Sequence, residues 1–333
     1  MASIAVPISS KIPQLRPLNI VRDLPGVADL VEKCFADTMD ADGRNYIQQM
    51  RHAGQDNVFL RWASSAVETV SMPLSGYVWE ENGEIIGNVS LIPHRRNRKK
   101  YYLIANVAVR PDFRKRGIGR ILTRAAMDHA KLHHADETWL HVRDDNPVAI
   151  GLYLSMGFVE LARRTSWLAE SERTSAEKGS GVNFTKRTAS DWVIQEAWLR
   201  QLYPDLLNWY QPMPWKSLRP GIGPAFYRFM SDYEVRHWVA RFDGVPAGVV
   251  SWQATAGRNN RLWAAIPSEG DPEILTGLLQ HARHELAWRD KISLDFPANT
   301  FQDPIKAAGF HPLRTLLWMK SNETSQGEIR KST

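Results

Sequence analysis

The period of the hydrophobic pattern changes repeatedly along the chain, and each change marks an element. Tyr102-Leu103-Ile104-Ala105-Asn106-Val107-Ala108-Val109 is a nearly unbroken apolar run, as expected of a buried strand. After the turn Arg110-Pro111-Asp112-Phe113, the residues Ile121, Leu122, Ala125, Ala126 and His129 recur at helical spacing. Asn82-Gly83 and Asp243-Gly244 each precede β-branched residues, which is a hairpin signal.

These elements occur twice in the same order. Arg16-Pro17 leading to Asp23 has a partner in Lys186-Arg187 leading to Asp191, each reading as a strand that runs into a helix N-cap. The run from Asn82 to Ser90 matches the run from Asp243 to Ser251 without a gap. The helix of Leu122 and Ala126 corresponds to that of Leu278, Leu279, Ala282 and Leu286. Asn146, Gly157-Phe158 and Trp167 correspond to Asn299, Gly309-Phe310 and Trp318. Each half therefore reads as strand, helices, hairpin, strand, helix, strand, helix, strand, an α/β layer structure with a mixed sheet. Between them the chain turns small and polar, so the expected division is a tail at 1–14, domains at 15–168 and 183–320, a linker at 169–182 and a second tail at 321–333.

A length of 333 residues with 43% apolar content fits two compact domains. The net charge of +6 suits an anionic ligand, but the basic residues are dispersed, so nucleic acid is not an expected partner. The densest cluster, His94-Arg95-Arg96-Asn97-Arg98-Lys99-Lys100, reads either as a solvated hairpin turn or as an anion-facing loop. Cys34 is the only cysteine, which excludes an intrachain disulfide and a cysteine-based zinc site; no metal site is expected. Its setting is that of an inert residue on the inner face of a helix. No leader or membrane-spanning run is legible, so a cytoplasmic protein without a membrane partner is expected.

The chemistry concentrates in Arg114-Lys115-Arg116-Gly117-Ile118-Gly119, between the apolar strand and the helix. Free backbone N–H groups at a helix N-terminus attract anionic oxygens, and glycines let those oxygens approach. With Arg120 the segment carries four cations, which suits a pyrophosphate. A P-loop would require Gly-Lys-Ser/Thr, and a Rossmann loop would require glycine where Leu122 stands. The remaining pattern, Arg-x-x-Gly-x-Gly after a Val-x-Val strand, followed by Leu140-His141-Val142-Arg143, Asn146, Ala149, Leu152-Tyr153 and Gly157-Phe158, resembles the GNAT superfamily of acyl-CoA N-acyltransferases. The resemblance covers residues 15–168 by motif and 183–320 by element order only, as tandem GNAT-like domains.

The resemblance implies acetyl-CoA as cosubstrate, in a cleft where the strand of residues 106–109 and that of residues 140–142 splay. Val107, Ala108 and Val109 would hold the pantetheine arm with their backbone, and the same edge would donate an N–H to the thioester oxygen. Arg114, Lys115, Arg116, Gly117, Ile118, Gly119 and Arg120, with Asn146, would complete the cofactor site. Tyr153 occupies the family position for the acid that protonates the leaving thiolate, whose pKa lies near roughly 8.5; a core tyrosine is the structural alternative. An alkyl amine is neutral only once in a few thousand molecules at pH 7, a penalty of about 4–5 kcal/mol, so a base or water chain is expected. Many relatives carry a carboxylate where this chain has Asn106, which can order a water but not take a proton. Glu80, Glu81 and His141 are the alternative relays.

In the second copy, Glu273 and Leu275 stand where Gly117 and Gly119 stand in the first, and nothing near Asp303-Pro304-Ile305 matches Tyr153. That copy is expected to be catalytically silent and to make the chain an internal pseudo-dimer, as a monomer or a homodimer. The aromatic stretch from Tyr203 to Trp215 reads as a lid or acceptor wall, or as an interdomain packing loop. The expected activity is transfer of acetyl to a primary amine of a small molecule or peptide by direct attack. The competing reading is a silent CoA-binding regulatory module.

Overall fold

A computed structural model describes residues 12–39, 41–55, 75–170, 183–230, 234–254 and 260–323. The linker between 171 and 182 and most of both tails lie outside those residues. The chain divides into two compact units, one of residues 1–161 and 318–333, the other of residues 162–317.

The first unit contains β1 (Leu15–Pro17), α1 (Ile20–Phe35), α2 (Ala41–Gln55), β2 (Ser75–Glu81), β3 (Glu84–Arg96), β4 (Lys99–Val109), α3 (Ile118–Leu132), β5 (Glu137–Arg143) and α4 (Pro147–Ser155). Strands β1 to β4 form an antiparallel run, and β5 joins β4 in parallel after the α3 crossover. Asn19 caps α1 by accepting the N–H groups of Val21 and Arg22. Buried Asp23 instead accepts the Asn19 N–H and pairs with Arg16 at 2.6 Å.

The second unit repeats this order. After β6 (Phe158–Glu170) come β7 (Asn183–Lys186), α5 (Trp192–Leu202), α6 (Trp215–Leu218), α7 (Ile222–Met230), β8 (Glu234–Phe242), β9 (Val245–Ala254), β10 (Arg261–Ala265), α8 (Pro272–Glu285), β11 (Lys291–Pro297), α9 (Gln302–Ala307) and β12 (His311–Ser321). Again an antiparallel run, β7 to β10, is joined in parallel by β11. Both units are mixed sheets flanked by helices.

The matched hairpins agree in detail. Asn82-Gly83 has φ of 52° and 81°, Asp243-Gly244 has 49° and 81°, and both hairpins shift register at equivalent places, Trp79/Glu80 and Ala240/Arg241. Positive φ at both turn residues matches the right-handed strand twist. Gly87 and Gly248 let a helix close on the sheet. A Cβ on Gly87 would lie 3.0 Å from Leu122 and 3.2 Å from Ile118, and one on Gly248 would lie 2.8 Å from Leu278 and 3.1 Å from Ile274. The basic cluster at 94–100 is a hairpin turn, with Asn97 and Arg98 at φ of 51° and 64°.

The unit boundaries depart from the expected 15–168 and 183–320. Residues 162–170 of β6 belong to the second unit because they pair with β11, from Arg164↔Pro297 to Glu170↔Lys291. Residues 318–321 of β12 belong to the first unit, where β12 neighbours β5. Each unit thus takes part of a strand from the other half of the sequence, 162–170 of β6 in one case and 318–321 of β12 in the other. Trp167 and Trp318 end equivalent strands, and their sequences carry no mark of the exchange.

Candidate active site

Strand β4 departs from regular pairing where the cleft is expected. Asn88 faces Ala108 and Ser90 faces Ala105, so Val89 alone opposes Asn106 and Val107. This is a β-bulge, and Asn106 takes the left-handed conformation at φ 49°. Three polar side chains support it. The Asn88 amide donates to the Asn106 carbonyl at 3.0 Å and to Ser90 Oγ at 3.2 Å, and the Asn106 amide donates to Ser90 Oγ at 3.4 Å. On its other side β4 pairs with β5 only as far as Ile104↔Leu140. Beyond that point the two strands part, with Asn106, Val107, Ala108 and Val109 on one edge and His141 and Val142 on the other.

The loop that follows presents a helix N-terminus. Arg114 follows the 3₁₀ turn Pro111–Phe113, Lys115 has φ 63°, and Gly117 at φ 78° is the N-cap of α3. No side chain caps this helix, so the N–H groups of Ile118, Gly119 and Arg120 lead outward for an anion. A side chain at Gly117 would be strained by the backbone although the space is open. A Cβ at Gly119 would make only ordinary contacts, 3.7 Å from Leu152 and 3.9 Å from Val109. The fold itself does not demand glycine at 119. The cations are exposed and held. Arg114 donates to the Val109 carbonyl at 3.1 Å, Arg116 lies 4.5 Å over the Phe113 ring, and Arg120 reaches Ser155 Oγ at 2.8 Å.

Tyr153 sits near the end of α4, buried and edge-on to Phe158 with ring centroids 6.0 Å apart. Burial pushes its hydroxyl well above the usual tyrosine range, so it keeps its proton at any working pH. Asn146 caps α4 by accepting the Ala149 N–H, which is a structural duty. His141 is half-buried with the Trp318 ring edge-on at 4.9 Å. Glu80 is bonded to Arg16, which with Arg22 holds its carboxyl below the usual range, and Glu81 accepts from the Trp79 indole. Both carboxylates lie on β2, with β3 between them and β4. The Cys34 thiol donates to the Val109 carbonyl, and burial pushes its pKa up, as suits an inert residue.

The second unit is built differently at the same place. Ile274 and Leu278 pack on Gly248 as Ile118 and Leu122 pack on Gly87, so Glu273 and Leu275 stand level with Gly117 and Gly119. The helix begins earlier there. Its N-cap is Asp271, whose carboxylate accepts the Glu273 N–H at 2.9 Å, and Pro272 removes one donor. The β9–β10 ladder is continuous from Arg261↔Gln253 to Ala265↔Val249, without a bulge. Strands β10 and β11 pair only to Leu262↔Leu294, and the Ala264 N–H beyond that point is taken by the buried Tyr203 hydroxyl at 3.3 Å. Tyr203 and Met213 belong to this unit's own core, which gives the aromatic stretch a packing role there. An open cavity of about 650 Å³ beside α8 has Glu269 and Asp303 among its lining residues, both repelling a diphosphate.

Residues 39–158 match the acetyltransferase (GNAT) family. The [ribosomal protein bS18]-alanine N-acetyltransferase of Salmonella typhimurium is 42% identical over 62 residues, which are 19% of this chain and 42% of that protein. N-alpha-acetyltransferase RimI of Mycobacterium tuberculosis is 30% identical over 115 residues, covering 34% of this chain and 71% of that protein. The chain belongs to the GNAT acetyltransferase family. A GCN5-related N-acetyltransferase from Sphaerobacter thermophilus shares the fold at a TM-score of 0.55 and 15% identity, over 95% of this chain and 97% of that one.

The bulge and its supports, Asn88 and Ser90, were not legible in the sequence as site residues. A signal existed in the gapless match of the two halves, where Asn88 aligns with Val249.

Proposed function

We propose that this chain transfers an acetyl group from acetyl-CoA to a primary amine, and that the first unit alone does so. The observation that carries this is the bulged, parted edge of β4 beside the uncapped start of α3. The β4 edge offers backbone groups to the pantetheine arm, and the N–H groups after Gly117 receive the pyrophosphate. The amine attacks the thioester carbon, forming the C–N bond and an oxyanion that a β4 N–H stabilises. The C–S bond then breaks, Tyr153 protonates the departing sulfur, the amine releases a proton to water, and Tyr153 takes a proton back from solvent before the next turnover. No covalent enzyme intermediate is needed, because holding both reactants together supplies the rate.

The absence of a carboxylate at Asn106 bears on the acceptor. An α-amine, with pKa near roughly 8, is neutral in about a tenth of molecules at pH 7, so it needs little help from a base; an alkyl amine needs much. The relatives' names specify an alanine acceptor and N-alpha-acetylation. A peptide α-amine is therefore the acceptor class this site serves best, with small-molecule amines of similar pKa next. A silent CoA-binding module is the second reading, and Asn106 in place of a carboxylate is what favours it. Release of CoA thiol over a panel of peptides with free or blocked N-termini, and of small amines, separates them. Tight acetyl-CoA binding with no thiol release for any acceptor sinks the transferase.

A further inference from the structure

Asn88 is fully buried on β3, yet its amide oxygen meets no protein donor among the described residues. An unsatisfied buried acceptor costs stability. The equivalent residue in the second unit is Val249, which is also fully buried and has no such cost. There Ser251 bonds Gln195 at 2.8 Å and His237 at 2.7 Å instead of supporting a bulge. The polar group on β3 and the bulge on β4 occur together in one unit and are missing together in the other.

A trans peptide points its C=O and the following N–H in opposite directions. The Asn106 carbonyl is held by Asn88 on β3, so the N–H of the same peptide, that of Val107, is turned away from β3. In the strand order the next neighbour on that side is β5, and at this level β4 and β5 have parted. We propose that Asn88 is a positioning residue: by anchoring the Asn106 carbonyl it aims the Val107 N–H into the cleft as the donor to the thioester oxygen. This rests on the transferase reading above, but the two fail differently.

The test is Asn88→Val, the second unit's own residue, in the full chain. The readouts are thermal melting, acetyl-CoA affinity, kcat against KM, and the carbonyl stretch of ¹³C-acetyl-CoA bound without acceptor. Expected are a modest change in Tm, because loss of the donors to the Asn106 carbonyl and Ser90 opposes removal of the unsatisfied amide oxygen, affinity within about threefold, a kcat lower by roughly 10- to 100-fold, and a carbonyl band shifted back towards its free frequency. A purely structural role predicts that kcat follows the folded fraction while the carbonyl band stays where it is in the wild type. Unchanged kcat and band in Asn88→Val overturns the proposal, as does a wild-type band equal to that of free acetyl-CoA. If Asn88→Val does not fold, Asn88→Asp, which keeps the shape and loses the donor, decides by the same band. Absence of turnover with every amine sinks the transferase reading, while the band, read without acceptor, still reports on Asn88.

Discussion

The start of α3 and the start of α8 are the same helix in two copies, and they differ in what occupies their N–H groups. At α3 the cap is a glycine without a side chain; at α8 it is Asp271, whose carboxylate sits where an outside anion would sit. The strands before them differ likewise. Strand β4 is bulged and its edge parts from β5, whereas β10 is regular and its parted edge is stopped by Tyr203. The packing is shared, with Gly87 and Gly248 each under its helix, while the helix starts differ. In the second copy the corresponding backbone groups are satisfied from within, by the Asp271 carboxylate and the Tyr203 hydroxyl.

The comparison breaks most readily at the first helix. Gly119→Glu places a carboxylate among the free N–H groups without backbone strain, and acetyl-CoA affinity is expected to fall by about 100-fold or more at nearly constant Tm. Tyr153→Phe is expected to lower kcat by roughly 10²-fold or more while acetyl-CoA affinity stays, measured by steady-state thiol release. The wild-type pH profile of kcat/KM is expected to rise and level off near about pH 8 with a peptide α-amine, and to go on rising towards about pH 10 with a lysine side chain. No limb from Tyr153 falls in that range, because burial holds its proton on.

A smaller effect lies on the back of α3. His129 stacks on His133 at 4.0 Å, bonds Tyr77 at 3.2 Å, and has its pKa lowered to about 4, chiefly by burial and then by His133. The unfolded chain takes up this proton at about pH 6.5, so stability from the neutral ring is full above that pH and is lost as pH falls towards 4. After allowance for solvent screening this is on the order of 1–2 kcal/mol. Melting of His129→Gln should depend less on pH between 6.5 and 4 than melting of the wild type. Glu273→Gly should have the smallest effect on acetyl-CoA stoichiometry, since Asp271 and Tyr203 still satisfy backbone N–H groups of the second unit.

Much of this was legible because some residues have one physical use. Asn-Gly and Asp-Gly before β-branched residues make a two-residue hairpin, and both were found with positive φ. Gly117 and Gly119 after an apolar strand point to a helix N-terminus, and Gly117 is the N-cap of α3. The bulge was not legible because it depends on register across β3 and β4, which one strand's sequence does not carry. The assignment of the ends of β6 and β12 was hidden for a similar reason, since strand pairing is not carried by one strand's sequence. Asn146 and Glu80 were read by position, and contacts gave them structural duties, a helix cap and ion pairs.

The central claim is that one of two homologous helix starts binds the cofactor. Calorimetric titration of acetyl-CoA into the full chain and into Gly119→Glu tests it most directly. One site per chain, lost in the variant while the fold persists, is the predicted result. Two sites per chain, or one that survives in Gly119→Glu, would contradict it.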